Sequence, residues 1–169
     1  MDGSRKALFD GVAKTLGHSF DGEMRIGGNY VPALQNGDEV YVSGQIPRID
    51  NTVIVVGRVG AEVSVERARH GAKICTMRAL AILGQLLGDL ERIRQVLRIN
   101  VYVQSAADFT QQSEVADAAS EVLYSIFADA GVHTRTSVGV YQLPKNASVE
   151  VDMIVALEPA EAPHEETED

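Results

Sequence analysis

The chain has 169 residues, 45% hydrophobic and 23% charged, with a formal charge of −9 and one cysteine. That length carries a core without help from disulfides or metals, and the lone Cys75 excludes an internal disulfide and fits a reducing, cytoplasmic setting. No apolar run approaches the roughly 20 residues of a membrane span, and the opening MDGSRKALFDGVAKTLG lacks the apolar core and cleavage signal of a secretory peptide.

In chain order, residues 1–23 read as an N-terminal extension with no element assigned to it. Residues 24–34 (MRIGGNYVPAL) and 38–43 (DEVYVS) read as two short strands joined by the turn QNGD. Residues 52–59 (TVIVVGRV) form a β-branched run, hence a third strand. The glycines of GRVG, Gly57 and Gly60, lack the helix that a phosphate loop requires and read as a turn. A helix begins at Ser64, its N-cap, and closes at Gly88. Ala68, Ala72, Cys75, Ala79, Ile82, Leu83 and Leu86 share one face of it, with Arg67, Lys73 and Arg78 elsewhere. Cys75 therefore reads as a small core residue and not a nucleophile.

Leu97, Ile99, Val101 and Val103 alternate with polar neighbours as a fourth strand. Asp108 and Gln111 have the spacing of a capping box ahead of a second helix, whose buried stripe runs from Val115 to Ala130, and Gly131 ends it. The stretch HTRTSVGVYQLPKNASVEVDMIV then reads as a closing hairpin turning over residues 144–148. The order β-β-β-α-β-α-β-β predicts an α+β sandwich, a mixed sheet with two helices on one face. The last twelve residues, EPAEAPHEETED, carry six acids and no Lys or Arg, and read as a solvated, disordered tail.

Two charged residues in the closing hairpin stand out. If the valine sides of both strands pack under the helices, Arg135, Ser137, Gly139 and Tyr141 face the other way together with Glu150. That face is too apolar for open solvent and too polar for a sealed core, which suits a subunit interface holding a polar pocket. Hairpin pairing sets Glu150 opposite Tyr141 and leaves Arg135 on the order of 20 Å away, so a shared site needs neighbouring subunits. An interface salt bridge, or two unrelated polar positions, accounts for the same pattern. The histidines at 18, 70, 133 and 164 show no ligand spacing, so no metal or other cofactor is expected. His133 reads as a surface-loop residue.

GNYVPA, VYVSGQIP and the closing stretch resemble the RidA/YjgF family, also called the L-PSP endoribonuclease family, over about residues 28–157. The resemblance implies a chorismate-mutase-like fold assembled as a homotrimer with ligand clefts between subunits. It also implies hydrolytic deamination of reactive enamines and imines, such as 2-aminoacrylate, to 2-oxo acids and ammonia. Arg135 matches the family arginine that grips the substrate carboxylate, a task suited to a planar guanidinium fork. Glu150 matches the acid that orients the attacking water or shuttles its proton. Tyr30 matches the aromatic wall of the cleft, and Ser43 and Gly44 match the turn whose hydroxyl and backbone N–H meet the ligand. Two positions depart from the pattern: Ser137 replaces a cysteine, and Ser113 replaces an asparagine of the pocket.

The expected partner is a small carboxylate-bearing imine, enamine or 2-oxo acid. The alternative on the same trimeric fold is a non-catalytic metabolite binder or stress-response protein, which would bind such ligands without releasing ammonia. Neither membrane nor nucleic acid is expected as a partner, because the body offers no basic, aromatic surface, and ribonuclease activity ranks last.

Overall fold

The structure, a computed structural model, describes residues 3–159. Nearly all of the acidic tail expected over 158–169 lies outside the described residues. Five strands form the main sheet: β1 (Ala33–Asn36), β2 (Glu39–Gln45), β5 (Ile93–Gln104), β6 (Thr134–Val140) and β7 (Val149–Leu157), in spatial order β1-β2-β7-β5-β6. β3 (Arg48–Ile49) and β4 (Thr52–Val53) make a separate two-stranded ribbon. Helices α2 (Val65–Leu87) and α3 (Gln112–Phe127) cover one face of the sheet, and α1 (Arg5–Leu16) packs on both. This is the α+β fold expected, with a third helix added. Among the described residues no helix is long and apolar enough to cross a membrane.

The segment 1–23 is thus partly structured. Phe9 and Ala13 are buried, and Phe9 meets Phe20 edge-to-face at 6.2 Å. Arg5 donates to the Leu90 carbonyl at 3.0 Å and ion-pairs with Glu91 at 3.5 Å. Two strand expectations shrink on contact with the structure. Over 24–34 only the last two residues join β1, because two glycines and Pro32 interrupt the run and Pro32 has no N–H for a ladder. Over 52–59 only β4 forms, since Gly57 at φ +109 turns the chain away.

α2 behaves as its spacing predicts. The Ser64 hydroxyl accepts from the Arg67 N–H at 3.1 Å, Gly88 adopts the left-handed conformation, and Cys75 is fully buried. Arg78 and Leu86 are exchanged relative to expectation: the arginine is 4% exposed and the leucine 48%. The capping box does not form. Gln111 is the N-cap of α3 and makes no side-chain bond there, while Gln112 donates to the Phe109 carbonyl at 2.9 Å.

The closing hairpin is the largest correction. β6 and β7 do not pair; β5 lies between them, parallel to β6 and antiparallel to β7. Strand–helix–strand order dictates this, because a helical crossover returns the chain parallel to the strand it left. The eight-residue link from β6 to β7 passes over the end of β5, where buried Gln104 holds it. Gln104 accepts from the Leu143 N–H at 2.8 Å, and its amide donates to Asn146 Oδ1 at 2.7 Å.

Candidate functional site

The half of the site around Glu150 is built by an irregularity in β2. Val42 pairs with Met153 and Gln45 with Val151, so Ser43 and Gly44 together oppose one residue of β7. This bulge brings the backbone of Gly44 against Glu150: a β-carbon there would lie 2.2 Å from Glu150 Oε1. Only glycine leaves room for the carboxylate. As expected, β7 buries Val149, Val151, Met153 and Val155 under the helices and turns Glu150, Asp152 and Ile154 to the helix-free face.

Glu150 is half-buried there, next to Tyr102 on β5. Asp152 accepts hydrogen bonds from Asn100 at 2.8 Å and Tyr102 at 3.2 Å. Burial, and then the neighbouring charge of Asp152, hold the Glu150 carboxyl above the usual carboxylate range. The same burial and the Asp152 carboxylate push the Tyr102 phenol up. Glu150, Gly44 and Tyr30 line one cavity of about 190 Å³ together with Arg25, Arg48, Arg78, Pro144 and Lys145. Ser43 lies beside this group and serves it structurally. Its hydroxyl donates to the Val31 carbonyl at 2.8 Å and its N–H to the Pro32 carbonyl at 2.9 Å, which pins the segment carrying Tyr30.

Arg135 lies elsewhere. It pairs in register with Ile99, Ser137 with Val101 and Gly139 with Val103, and all three partners are buried toward the helices. In a parallel ladder, paired residues share a face. Arg135, Ser137 and Gly139 therefore point to the helix side, and the expectation that they share a face with Glu150 is overturned. The threonine and valines of β6 gave a false burial signal: Thr136 and Val138 are exposed. Arg135 reaches the polar edge of α3, where Nη1 donates to Asp117 Oδ1 at 2.8 Å and to Ser120 Oγ at 3.0 Å.

Ser120 Oγ also lies 2.9 Å from His133 Nε2, and His133 Nδ1 lies 2.6 Å from the Gly131 carbonyl. A carbonyl only accepts, so Nδ1 donates to it and turns Nε2 toward the serine hydroxyl. His133 is thereby part of the bracing of Arg135 and not a free loop residue. Ser137 and Ser113, the two departures from the family pattern, face each other at 3.4 Å.

The 20 Å separation assumed a hairpin and has to be replaced. Glu150 pairs with Tyr102, and Arg135 pairs with Ile99 on the far side of β5. Two strand spacings of about 4.8 Å and three residues of about 3.3 Å put their Cα atoms roughly 14 Å apart, with side chains on opposite faces. One chain brings Tyr30, Gly44 and Glu150 together, and separately Arg135, Ser137 and Ser113. It does not join the two groups.

The match to the YjgF/chorismate mutase-like endoribonuclease family runs over residues 17–157. The chain belongs to this family. Protein TCP17 of Trypanosoma cruzi is 40% identical over 130 residues, covering 76% of this chain and 81% of TCP17. The 2-iminobutanoate/2-iminopropanoate deaminase of Dermatophagoides farinae is 29% identical over 132 residues, 78% of this chain and 88% of the deaminase. The crystal structure of Atu1372, a protein of unknown function from Agrobacterium tumefaciens, superposes with a TM-score of 0.82 at 36% identity, covering 91% of this chain and 95% of that one.

Sequence reading of this YjgF-family chain missed the basic residues of the cavity and, of the α3 residues around Arg135, Asp117 and Ser120. Signals for both existed. Arg78 follows Cys75 by three and precedes Ile82 by four, which places it on the apolar stripe of α2. Ser113, Asp117 and Ser120 are spaced by four and three, a polar stripe along one edge of α3. Among the described residues no cluster of three or more His, Cys, Asp or Glu is placed to hold a metal ion.

Proposed function

We propose that this protein hydrolyses 2-imino acids and their enamine tautomers to 2-oxo acids and ammonia, in clefts between the subunits of a homotrimer. The observation that carries the reading is Glu150: a half-buried carboxylate with a raised pKa, seated on Gly44 in a cavity, with no hydrogen-bond donor engaging it among the described residues. Such a group is a proton acceptor whose lone pairs are not already spent. A water held by Glu150 adds its oxygen to the imine carbon while the carboxylate takes the proton. Returned to the nitrogen, that proton completes a carbinolamine; the carboxylate then takes the hydroxyl proton and passes it to the nitrogen, so ammonia leaves as the carbonyl forms. Arg135, braced by Asp117, Ser120 and the Ser113 carbonyl, binds the substrate carboxylate through the N–H groups that these bonds leave free. The similarity to a 2-iminobutanoate/2-iminopropanoate deaminase supports the same chemistry.

The trimer enters because Arg135 and Glu150 occupy opposite faces of one sheet, so a shared substrate needs Arg135 from one subunit and Glu150 from another. Exposed Tyr41, Val138 and Tyr141, with the half-buried polar set around Asp152, suit a wet subunit contact. The test is ammonia release from 2-iminobutanoate generated in situ by an amino-acid oxidase, run beside a mass measurement by sedimentation. Co-expressed Arg135→Ala and Glu150→Gln chains, each inactive alone, should recover activity in mixed trimers at the clefts that unite the two intact residues. A monomer mass at micromolar concentration, or no recovery in mixed trimers, contradicts the interfacial site. Binding of 2-oxobutanoate without ammonia release would make the protein a binder and not a catalyst.

A further inference from the structure

The cavity beside Glu150 is more basic than imine hydrolysis requires. Arg25, Arg48, Arg78 and Lys145 line it against a single carboxylate, in a chain whose formal charge is −9. Among the described residues none of the four is ion-paired. Arg78 is the most unusual. It is buried, yet its donors go only to neutral acceptors: Gln45 Oε1 at 3.2 Å, the Arg48 carbonyl at 2.9 Å and the Arg25 carbonyl at 3.0 Å. These bonds fix the guanidinium and leave it without an ion-pair partner among the described residues. Arg48 adds a second unspent group, an Nε that is buried with no acceptor. Lys145 enters the cavity lining from a left-handed backbone conformation, φ +59, that a lysine adopts rarely.

Buried charge in proteins is ordinarily matched by a partner. A purely structural brace in the place of Arg78 needs hydrogen-bond donors but no charge. The missing counter-charge is therefore supplied by what enters the cavity, and the acceptor that Arg48 Nε lacks is of the same kind. A cavity of about 190 Å³ is also smaller than the usual ligand site of roughly 300–1,000 Å³, as befits the end of a cleft and not a whole one.

We infer that Arg25, Arg48, Arg78 and Lys145 form a second anion subsite, which selects 2-imino or 2-oxo acids whose side chain ends in an anionic group. This rests on the interfacial cleft proposed above. The 1-carboxylate lies on Arg135 of one subunit, the reacting carbon lies at Glu150 of the next, and the side chain runs past Gly44 into the basic cavity. Carboxylate and phosphate share the required chemistry, so the test carries both.

The experiment is titration calorimetry on the full-length assembly with 2-oxobutanoate, 2-oxoglutarate and 3-phosphooxypyruvate. Beside it, ammonia release is followed from imines generated enzymatically from 2-aminobutanoate and from glutamate. One of the two anionic ligands should bind about tenfold or more tighter than 2-oxobutanoate, the scale of one charge-assisted bond. Which of the two binds tighter identifies the terminal group. Arg25→Gln/Lys145→Gln, a double variant at two exposed positions, should cut that preference by about threefold or more, with Arg48 and Arg78 retaining the rest. Equal or tighter binding of 2-oxobutanoate overturns the subsite, and so does a preference left undiminished by the double variant or no binding of any 2-oxo acid. An anion preference with no ammonia from either imine upholds the subsite and overturns the catalytic reading. Ammonia release without the preference does the reverse.

Discussion

Gly44→Ala separates the chemistry of Glu150 from the stability of the fold. A β-carbon at position 44 would lie 2.2 Å from Glu150 Oε1, 2.9 Å from Cδ and 3.2 Å from Cγ. Ordinary contact begins near 3.4 Å, so the carboxylate has to retreat by about 1.2 Å. The clashing atoms are the far end of a flexible side chain, and no backbone atom is among the three nearest. An off-rotamer glutamate costs roughly 0.5–1.5 kcal/mol. Against this, alanine stabilises relative to glycine by about 0.4–1 kcal/mol through the unfolded chain. The net change in stability should therefore fall within about 1 kcal/mol. Turnover should respond far more, because misplacing a catalytic group by about 1 Å can cost on the order of 100-fold. Thermal melts and kcat for 2-iminobutanoate, measured on one preparation, check both halves. In a double-mutant cycle, Gly44→Ala should cost almost nothing further on a Glu150→Gln background. Full turnover in Gly44→Ala would refute the placement of the attacking water at Glu150.

Arg135→Ala should abolish imine hydrolysis with the assembly intact, at a cost of about 2–5 kcal/mol, or roughly 30- to several-thousand-fold. Arg135→Lys should recover little, because an ammonium cannot reproduce the fork; an alanine variant that holds 2-oxo acids as tightly as the parent would remove Arg135 from the site. Asp117→Asn keeps an acceptor for Arg135 Nη1 and removes a charge that competes with the ligand carboxylate, so 2-oxobutanoate affinity by calorimetry should rise about 2- to 5-fold, the scale of an exposed charge pair. Glu150 has to be ionised to accept a proton, so kcat/KM should fall as pH drops through its raised pKa, at a higher pH than an exposed carboxylate would give. Folded Glu150 holds its proton at a pH where the unfolded chain has released it, so stability is lost as pH rises from the unfolded value to the folded one. Glu150→Gln should consequently melt above the parent at neutral pH, with the difference closing in acid; a lower melt at neutral pH would contradict this.

The parts legible in the sequence are those in which local pattern and tertiary burial agree. α3 carries a continuous apolar stripe, α2 is capped and, Leu86 apart, buried along the stripe expected of it, and β7 alternates over residues 149–155 because one of its faces is sealed by helices. β6 lies at the edge of the sheet with both faces half-open, so its alternation carried no burial information and its side chains were assigned to the wrong faces. The false hairpin has a different cause. Adjacency in sequence was allowed to outrank the crossover rule, which already paired β6 with β5. α1 was readable from Phe9, Val12, Ala13 and Leu16, spaced by three, four and seven from the first. Of the candidate site, Arg135 and Glu150 already stood out as charges in the closing stretch, and Tyr30 and Gly44 were found through motif resemblance. The bulge that presses Gly44 on Glu150 was not, because register shifts arise from pairing across strands and leave no local signature.

The sheet itself keeps the two charges available. A guanidinium and a carboxylate sharing one cleft would form an ion pair, and that pair would hold both at rest. Here β5 separates them by about 14 Å, where two unit charges at an effective dielectric near 20 attract by only about 1 kcal/mol. Neither side chain can reach the other through the sheet. Arg135 instead spends Nη1 on Asp117 and Ser120 and one Nη2 donor on the Ser113 carbonyl, and Glu150 spends nothing on a donor among the described residues. Burial, and then the charge of Asp152, hold that carboxylate's pKa up, and no ion pair among the described residues pulls it down. If a neighbouring arginine closed directly on Glu150, that pKa would fall and its capacity as a base would fall with it. An imino acid lying between the two residues avoids that outcome, because its own carboxylate occupies the guanidinium and holds it at a substrate's length from Glu150. In the cleft proposed above, the division of these residues between two faces of one sheet is therefore part of how Glu150 would stay a base.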